Sequence, residues 1–370
     1  MSMKDIPYDE AKQSQLPFVE LLINMGYTYL TNQELTRLRE QDDSRIVLKE
    51  ITRNKLMEIN SYEHAGETFK FSDKDIAEAV EELENIRYEG LVDTSQGIYH
   101  TIMPLRGGRT VKVFHGGKYE SKSLRSIDFE TPDNNDFHVA VEVPFTGKEN
   151  NRRPDIVVYV NGIPLVIIEN KKSSEPVEKA VNQHIRNQRA TDIPRLFAYS
   201  QLLIAANSKE VRYGTTNTPV EFYANWREKD ASLDDQNAQV HELIGKPINQ
   251  DAYSILIQEL NGAVSTHTQT LSRTPTEQDR FVLNMFDKAR LLDVMRNYIL
   301  YDAGIKKVMR YQQYFAINRA LKQVEQKEQT DTGPRRKGGI IWHTQGSGKS
   351  LTMVMFVKAL IEDPKIVNPR

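Results

Sequence analysis

RRPDIVVYVNGIPLVIIENKKS, residues 152–173, decides how this chain is read. Two apolar runs, IVVYV and PLVII, flank Asn161-Gly162, a dipeptide that favours a tight β-turn. The stretch therefore predicts two strands of a buried sheet. It also puts Asp155, Glu169 and Lys171 in the apolar part of that sheet, and buried charges without a role are expensive.

Side chains alternate along a strand, so Glu169 and Lys171 share a face. Whether Asp155 joins them depends on the turn. A two-residue turn at Asn161-Gly162 pairs Val160 with Ile163 and sets Asp155 opposite Ile168, on the wrong face. A three-residue loop sets it opposite Ile167, diagonal to Glu169 and on the same face. If the three groups meet, the turn is the looser one, or the hairpin carries a bulge. Two carboxylates converging at a strand end make a hard, oxygen-rich site suited to Mg²⁺ or Mn²⁺. Lys171, two residues from a ligand, can position a water or stabilise developing charge. Hydrolysis of a phosphodiester needs that division of labour.

Outward from this hairpin, FHVAVEVPF before it and QLLIAAN after it read as further strands, with a helix between about Pro176 and Ala190. The order helix, three strands, helix, strand predicts an α/β fold with a central mixed sheet flanked by helices. Residues 8–26 read as an amphipathic helix ending at Gly26, residues 31–60 as a helical region, and Ser72 as the cap of another helix, with Asp75 three residues on. Residues 97–129 suggest short strands and hairpins punctuated by Gly107-Gly108 and Gly116-Gly117. Residues 277–300 and RYQQYFAINRALKQVEQ are strongly helical, and EQKEQTDTGPRRKGG reads as a charged loop. The domains expected are 1–228 around the hairpin, a polar linker or boundary over 229–276, and 277–370 as the start of a second unit.

The chain has 370 residues, 39% hydrophobic and 27% charged, which is ordinary for globular domains. It has no cysteine, which excludes disulfides and thiolate metal sites. No apolar run is long enough to span a membrane, and the N-terminus lacks an apolar signal core, so a cytoplasmic protein without membrane partners is expected. The net charge of −2 confines any polyanion site to a local patch. Residues 148–195 are one candidate, with nine Lys/Arg against six acids. Arg186 and Arg189 are read as phosphate contacts, and Lys172 as a reserve for Lys171. The eight histidines show no ligand spacing, and His184 is read as a surface residue.

Near the C-terminal end, HTQGSGKS, residues 343–350, follows the apolar segment Ile340 to Trp342 and precedes an amphipathic helix. Strand, glycine loop and helix form the setting of a nucleotide-binding loop. Backbone N–H groups of Gly346, Ser347, Gly348, Lys349 and Ser350 would wrap phosphate oxygens, Lys349 would neutralise β/γ-phosphate charge, and Ser350 would ligate Mg²⁺. His343 stands where the strict pattern has glycine. Gln313 resembles the adenine-reading glutamine of superfamily 2 helicases. The sequence stops 20 residues after Ser350, so a fragment cut inside an ATPase domain is expected, without ATP hydrolysis of its own.

Together these residues carry a resemblance. PD, thirteen residues, then ENK resembles the PD-(D/E)xK nuclease motif. NQHIRNQ resembles a Q-x-x-x-Y element, with Gln183 matching and Asn187 in the tyrosine's place. FDKARLLDVMRNYIL, RYQQYFAI and HTQGSGKS continue the pattern. The chain thus resembles the R subunit of type I restriction–modification enzymes over roughly residues 8–370. The resemblance implies a restriction-endonuclease-like sheet, a helical linker and a truncated RecA-like helicase lobe. It implies Mg²⁺ and ATP as cofactors, Asp155, Glu169, Lys171 and Gln183 as the nuclease set, and Glu10 or Glu20 on the first helix as a further candidate ligand. It also implies double-stranded DNA, modification and specificity subunits as partners, and cleavage driven by ATP-dependent translocation. The alternatives are a type III restriction or stand-alone repair nuclease–helicase, and a DNA-binding module with a decayed nuclease.

Overall fold

The computed structural model describes residues 14–104, 109–115, 117–261, 269, 271–330, 333–342, 346, 348–363 and 365–366. Its centre is a six-stranded mixed sheet. In chain order the strands are β1 (Thr28–Tyr29), β2 (Phe137–Val141), β3 (Ile156–Val160), β4 (Ile163–Asn170), β5 (Leu202–Asn207) and β6 (Glu210–Gly214), and they lie side by side in that order. β1 pairs parallel to β2 and β4 parallel to β5, while the other neighbours are antiparallel. Every residue of β3, β4 and β5 is buried. This is why IVVYV and PLVII run apolar without alternation, as strands covered on both faces do.

Two helical layers supply the cover. Helix α1 (Glu178–Asn187) reaches the Glu169 face of β4 through Gln183 and Asn187. The opposite face, where alternation aims Asn170, meets Ser14 just before the helix Leu16–Asn24, and Gln278 on the helix Glu277–Met285. The expected α/β mixed sheet with flanking helices is therefore what forms.

Local expectations fared unevenly. Ser72 and Asp75 form the full capping box of the helix Asp73–Glu84. Residues 97–102 are helical, the end of Leu91–Ile102, and not strand. A single hairpin, Arg109–His115 with Lys118–Leu124, follows. Residues 277–300 are not one helix. Asp287 accepts from the Arg290 backbone and starts a second helix, Lys288–Asn297, and Ile299 begins a short strand. The charged loop after Glu325 is a two-stranded hairpin. Residues 229–276, expected as a linker or boundary region, carry the helices Leu233–Ile244 and Gln250–Asn261. Their Val240, Ile244, Tyr253, Leu256 and Ile257 join the main core. No helix among the described residues is long and apolar enough to cross a membrane.

Candidate active site

The β3–β4 hairpin settles the question of register. Val160 pairs with Ile163, so the turn is two residues, with Asn161 at φ 52° and Gly162 at φ 80°. Both positive values fit a type I′ turn. Tyr159 faces Pro164, but Val158 faces Val166, so Leu165 is an extra residue on β4. Continuing that register sets Asp155 opposite Glu169. The looser turn is not used; the bulge is. The turn is held tight because it is buried. Asn161 donates to the Ser126 carbonyl and Asn135 Oδ1 and accepts from the Asp136 backbone. A Cβ on Gly162 would meet Thr52 Oγ1 at 2.5 Å and the Leu48 carbonyl at 2.7 Å.

The row extends one strand further. Val141 pairs with Ile156, and the Glu142 backbone N–H donates to the Asp155 carbonyl at 2.9 Å. Glu142, Asp155 and Glu169 therefore stand in line across three strands. Glu142 holds a left-handed backbone, φ 52°, a conformation that costs roughly 1–3 kcal/mol in a non-glycine residue. Its carboxylate accepts from Gln15 and pairs with Arg153. Sequence reasoning missed it, because the loop between β2 and β3 hides the register.

Each member of the row is held in place. The Asn170 backbone N–H donates to Asp155 Oδ2 at 2.6 Å. Gln183 donates to Glu169 Oε2 and Asn187 to Glu169 Oε1. One helical turn separates these two amides, so both reach the same carboxylate. The place where the resemblance has tyrosine thus holds an amide that does a clamp's work. Arg186 in turn donates from Nε and Nη2 to Asn187 Oδ1, which fixes which end of that amide faces Glu169. Lys171 Nζ lies 3.9 Å from Asp155 Oδ2 and donates to the Asn170 carbonyl.

Burial holds the Glu169 carboxyl well above the usual carboxylate range, and the neighbouring Asp155 charge raises it further. Two adjacent buried carboxyls that compete for charge fit a dication, which would reverse that penalty. Among the described residues no group of three or more His, Cys, Asp or Glu is placed to hold a metal. The protein groups that could face such an ion are the two carboxylates and the Asn170 carbonyl.

Other expected residues lie elsewhere. Glu20 is buried beside Arg273, Tyr253 and Asp279, away from the row, and burial pushes its carboxyl up to about 7. Glu10 and Ser347 lie outside the described residues. His184 is not a surface residue. It is fully buried, its Nε2 donates to the Ile204 carbonyl, and burial pushes its pKa down to about 4, which keeps it neutral. Arg186 and Arg189 are exposed on or just after α1, and Lys172 is half-buried near Glu175.

At the nucleotide loop, Gly346 and Gly348 both have positive φ, and Gly348 caps α2 (Lys349–Glu362). Lys349 and Ser350 are exposed in the first turn, where N–H groups and the helix dipole favour anions. Gln313 is buried against this loop, donating to the Gly348 carbonyl and Thr352 Oγ1 while accepting from the Arg310 backbone. The expected strand Ile340–Trp342 does not form. No described strand pairs with it, and Ile340 and Trp342 are 94% and 90% exposed. An isolated strand has no stability of its own.

With that geometry in place, comparison with known proteins is informative. The family model "Type I restriction enzyme R protein N terminus" matches residues 7–222, more than half of the chain, and the model "SWI2/SNF2 ATPase" matches residues 312–370. A Methanocaldococcus jannaschii protein named "Putative type I restriction enzyme MjaIXP endonuclease subunit" is 26% identical over 95% of this chain and 31% of its own length. The Haemophilus influenzae "Type I restriction enzyme HindI endonuclease subunit" is 27% identical over 72% of this chain and 22% of its own. The chain thus spans a fifth to a third of the length of these relatives.

Proposed function

The chain belongs to the type I restriction enzyme R protein family, and from that premise we propose that it carries the DNA-cutting centre of such an enzyme and the first part of its ATP-driven motor. Residues 1–228 form the endonuclease domain in this reading, 229–276 connect, and 277–370 begin the helicase-like ATPase lobe. The observation that carries the reading is the bulge at Leu165, which turns Asp155 and Glu169 onto one face with Lys171 beside them.

Asp155, Glu169 and the Asn170 carbonyl would hold Mg²⁺. The ion, when bound, supplies a Lewis acid that polarises the scissile phosphate and lowers the pKa of a water. The protein's own residues do the rest. Gln183 and Asn187 pin both oxygens of Glu169, and the Asn170 N–H pins Asp155, so neither carboxylate spends rotational freedom on binding. Lys171 Nζ orients the attacking water and stabilises negative charge developing on the phosphate. Arg186 and Arg189, exposed beside this face, contact the DNA backbone. Gly346 to Ser350 take the phosphates of ATP. Double-stranded DNA is the substrate, and modification and specificity subunits of the same enzyme supply recognition.

The test is restriction by the assembled enzyme carrying Asp155→Ala or Lys171→Ala. Loss of cutting with ATPase retained is expected; unimpaired cutting sinks the assignment. Restriction by the full-length protein without its partner subunits would argue for a stand-alone nuclease–helicase instead.

A further inference from the structure

Residues 109–125 carry five Lys/Arg and one acid, in a chain whose net charge is −2. They form the hairpin Arg109–His115 with Lys118–Leu124, with Phe114 opposite Tyr119 near its tip. Alternation gives it two unlike faces. Val113 and Leu124 are buried against Leu56, Phe71, Ile76 and Val80, and on this side Arg109 pairs with Glu82 and Lys122 with Glu120. The other face holds Thr110, Lys112 and Phe114 on one strand and Tyr119, Ser121 and Ser123 on the other, all exposed. It contains no carboxylate. It offers three hydroxyls, an ammonium and two rings that touch at a centroid distance of 5.1 Å, with Phe114 64% and Tyr119 73% exposed. Neither Lys112 nor Lys118 forms an ion pair among the described residues.

A cross-strand aromatic pair can serve merely to stiffen a hairpin. That role explains neither the cations without counter-ions nor the absence of acids. An exposed face of hydroxyls, Lys112 and two aromatic rings, with Lys118 beside it at the tip, complements phosphate oxygens and the apolar edges of sugars. We propose that this hairpin is a DNA-contacting arm, separate from the cutting centre; the proposal rests on DNA being the substrate. The arm is rooted at the far end of the sheet. Asn60, which ends the helix Lys49–Ile59, donates to the Arg125 carbonyl and accepts from its N–H. The same helix, through Thr52, packs on the Asn161-Gly162 turn. From that turn to the level of Asp155 and Glu169 is six residues along β3, roughly 20 Å at ~3.4 Å per residue. The arm is thus rooted by the end of the β3–β4 hairpin away from Glu169, and its contact with the duplex is apart from the scissile phosphate. There it sets the approach of the duplex and does not touch the reaction.

The experiment measures affinity of this chain for a short duplex without a recognition sequence, across a salt series. Lys112→Gln with Lys118→Gln should leave the melting temperature unchanged and flatten the slope of log affinity against log salt by about 1.8, at ~0.9 per phosphate contact. Phe114→Ser with Tyr119→Ser should weaken binding several-fold at fixed salt with the slope preserved. Unchanged affinity and slope in both variants overturns the proposal. So does wild-type DNA binding combined with lost co-purification of the other enzyme subunits, which would make the face a protein-docking surface. Asp155→Ala is the companion. If it abolishes cutting while the hairpin variants bind normally, this inference alone fails. If the hairpin variants bind weakly while Asp155→Ala still cuts, the arm stands and the nuclease assignment fails.

Discussion

The acid row and the nucleotide loop are built on opposite plans. Asp155 and Glu169 come together only because three strands, a bulge and a flanking helix agree, and the strands that carry them are buried throughout. The loop at Gly346–Ser350 is local. It needs two glycines at positive φ and the start of one helix, and the segment before it stays exposed. A site made of side chains demands a finished sheet, whereas a site made of backbone N–H groups needs little more than its own turn. The two should therefore respond differently to the same kind of damage.

The widest separation is in catalysis. In the assembled enzyme, Glu169→Gln should lower DNA cleavage by about 10³-fold, in the range of losing a group that stabilises a transition state, and leave ATP hydrolysis within about twofold. Lys349→Ala should do the reverse to ATP hydrolysis and leave the thermal stability of this chain unchanged, since Lys349 is exposed. Side-by-side cleavage and ATPase assays check both, and loss of the two activities together in Glu169→Gln would break the comparison.

Next in size is a pH effect confined to the sheet. His184 has a folded pKa of about 4 against an ordinary 6.5, because burial disfavours the charged ring. Between those values the unfolded chain binds the proton and the folded chain refuses it, so stability falls as pH drops from 6.5 towards 4. The loss amounts to about 3 kcal/mol, at ~1.4 kcal/mol per pH unit. Glu20 and Glu169, whose carboxyls burial raises, act in the opposite sense over part of this window, so denaturant melts should be read as a difference: His184→Asn should lose less stability, or gain more, than the wild type as the pH falls.

A smaller effect is expected from the clamp. Asn187→Ala removes a support of Glu169, not Glu169 itself, and should cost about 10–100-fold in cleavage or Mg²⁺ affinity, as second partners of ligands do. Rescue by Asn187→Gln or Asn187→Tyr would show that any donor reaching Oε1 suffices. Smallest is Trp342→Ser. An exposed tryptophan in an unpaired segment should change stability by no more than about 0.5 kcal/mol, whereas Ile167→Ser in β4 should cost several. A large loss from Trp342→Ser would show that the nucleotide region is less local than it looks.

The same contrast explains what the sequence could disclose. Buried strands, the α/β order and the Ser72 cap depend on local composition and were legible. So was the cluster of Asp155, Glu169 and Lys171, because the three are conspicuous in an apolar stretch, and the fold brings them together. The means of bringing them together was only half legible: parity demanded a looser turn or a bulge, and nothing in IPLVII marks Leu165 as the extra residue. Glu142 was invisible because a long loop separates it from Asp155. Ile340–Trp342 looked like a strand by composition, and composition cannot supply the neighbours that a strand needs.

The bulge also has arithmetic consequences for descent. Across a two-residue turn, opposed residues differ by an odd number, as Val160 and Ile163 do; one extra residue makes the difference even, as for Asp155 and Glu169, fourteen apart. A relative that gains or loses one residue between its two acids must therefore also gain or lose a bulge, or change its turn, to keep both on one face. Insertions in pairs pass freely. The spacing between the motifs is thus a parity code, and counting it in any relative reports the shape of a hairpin before a structure is in hand.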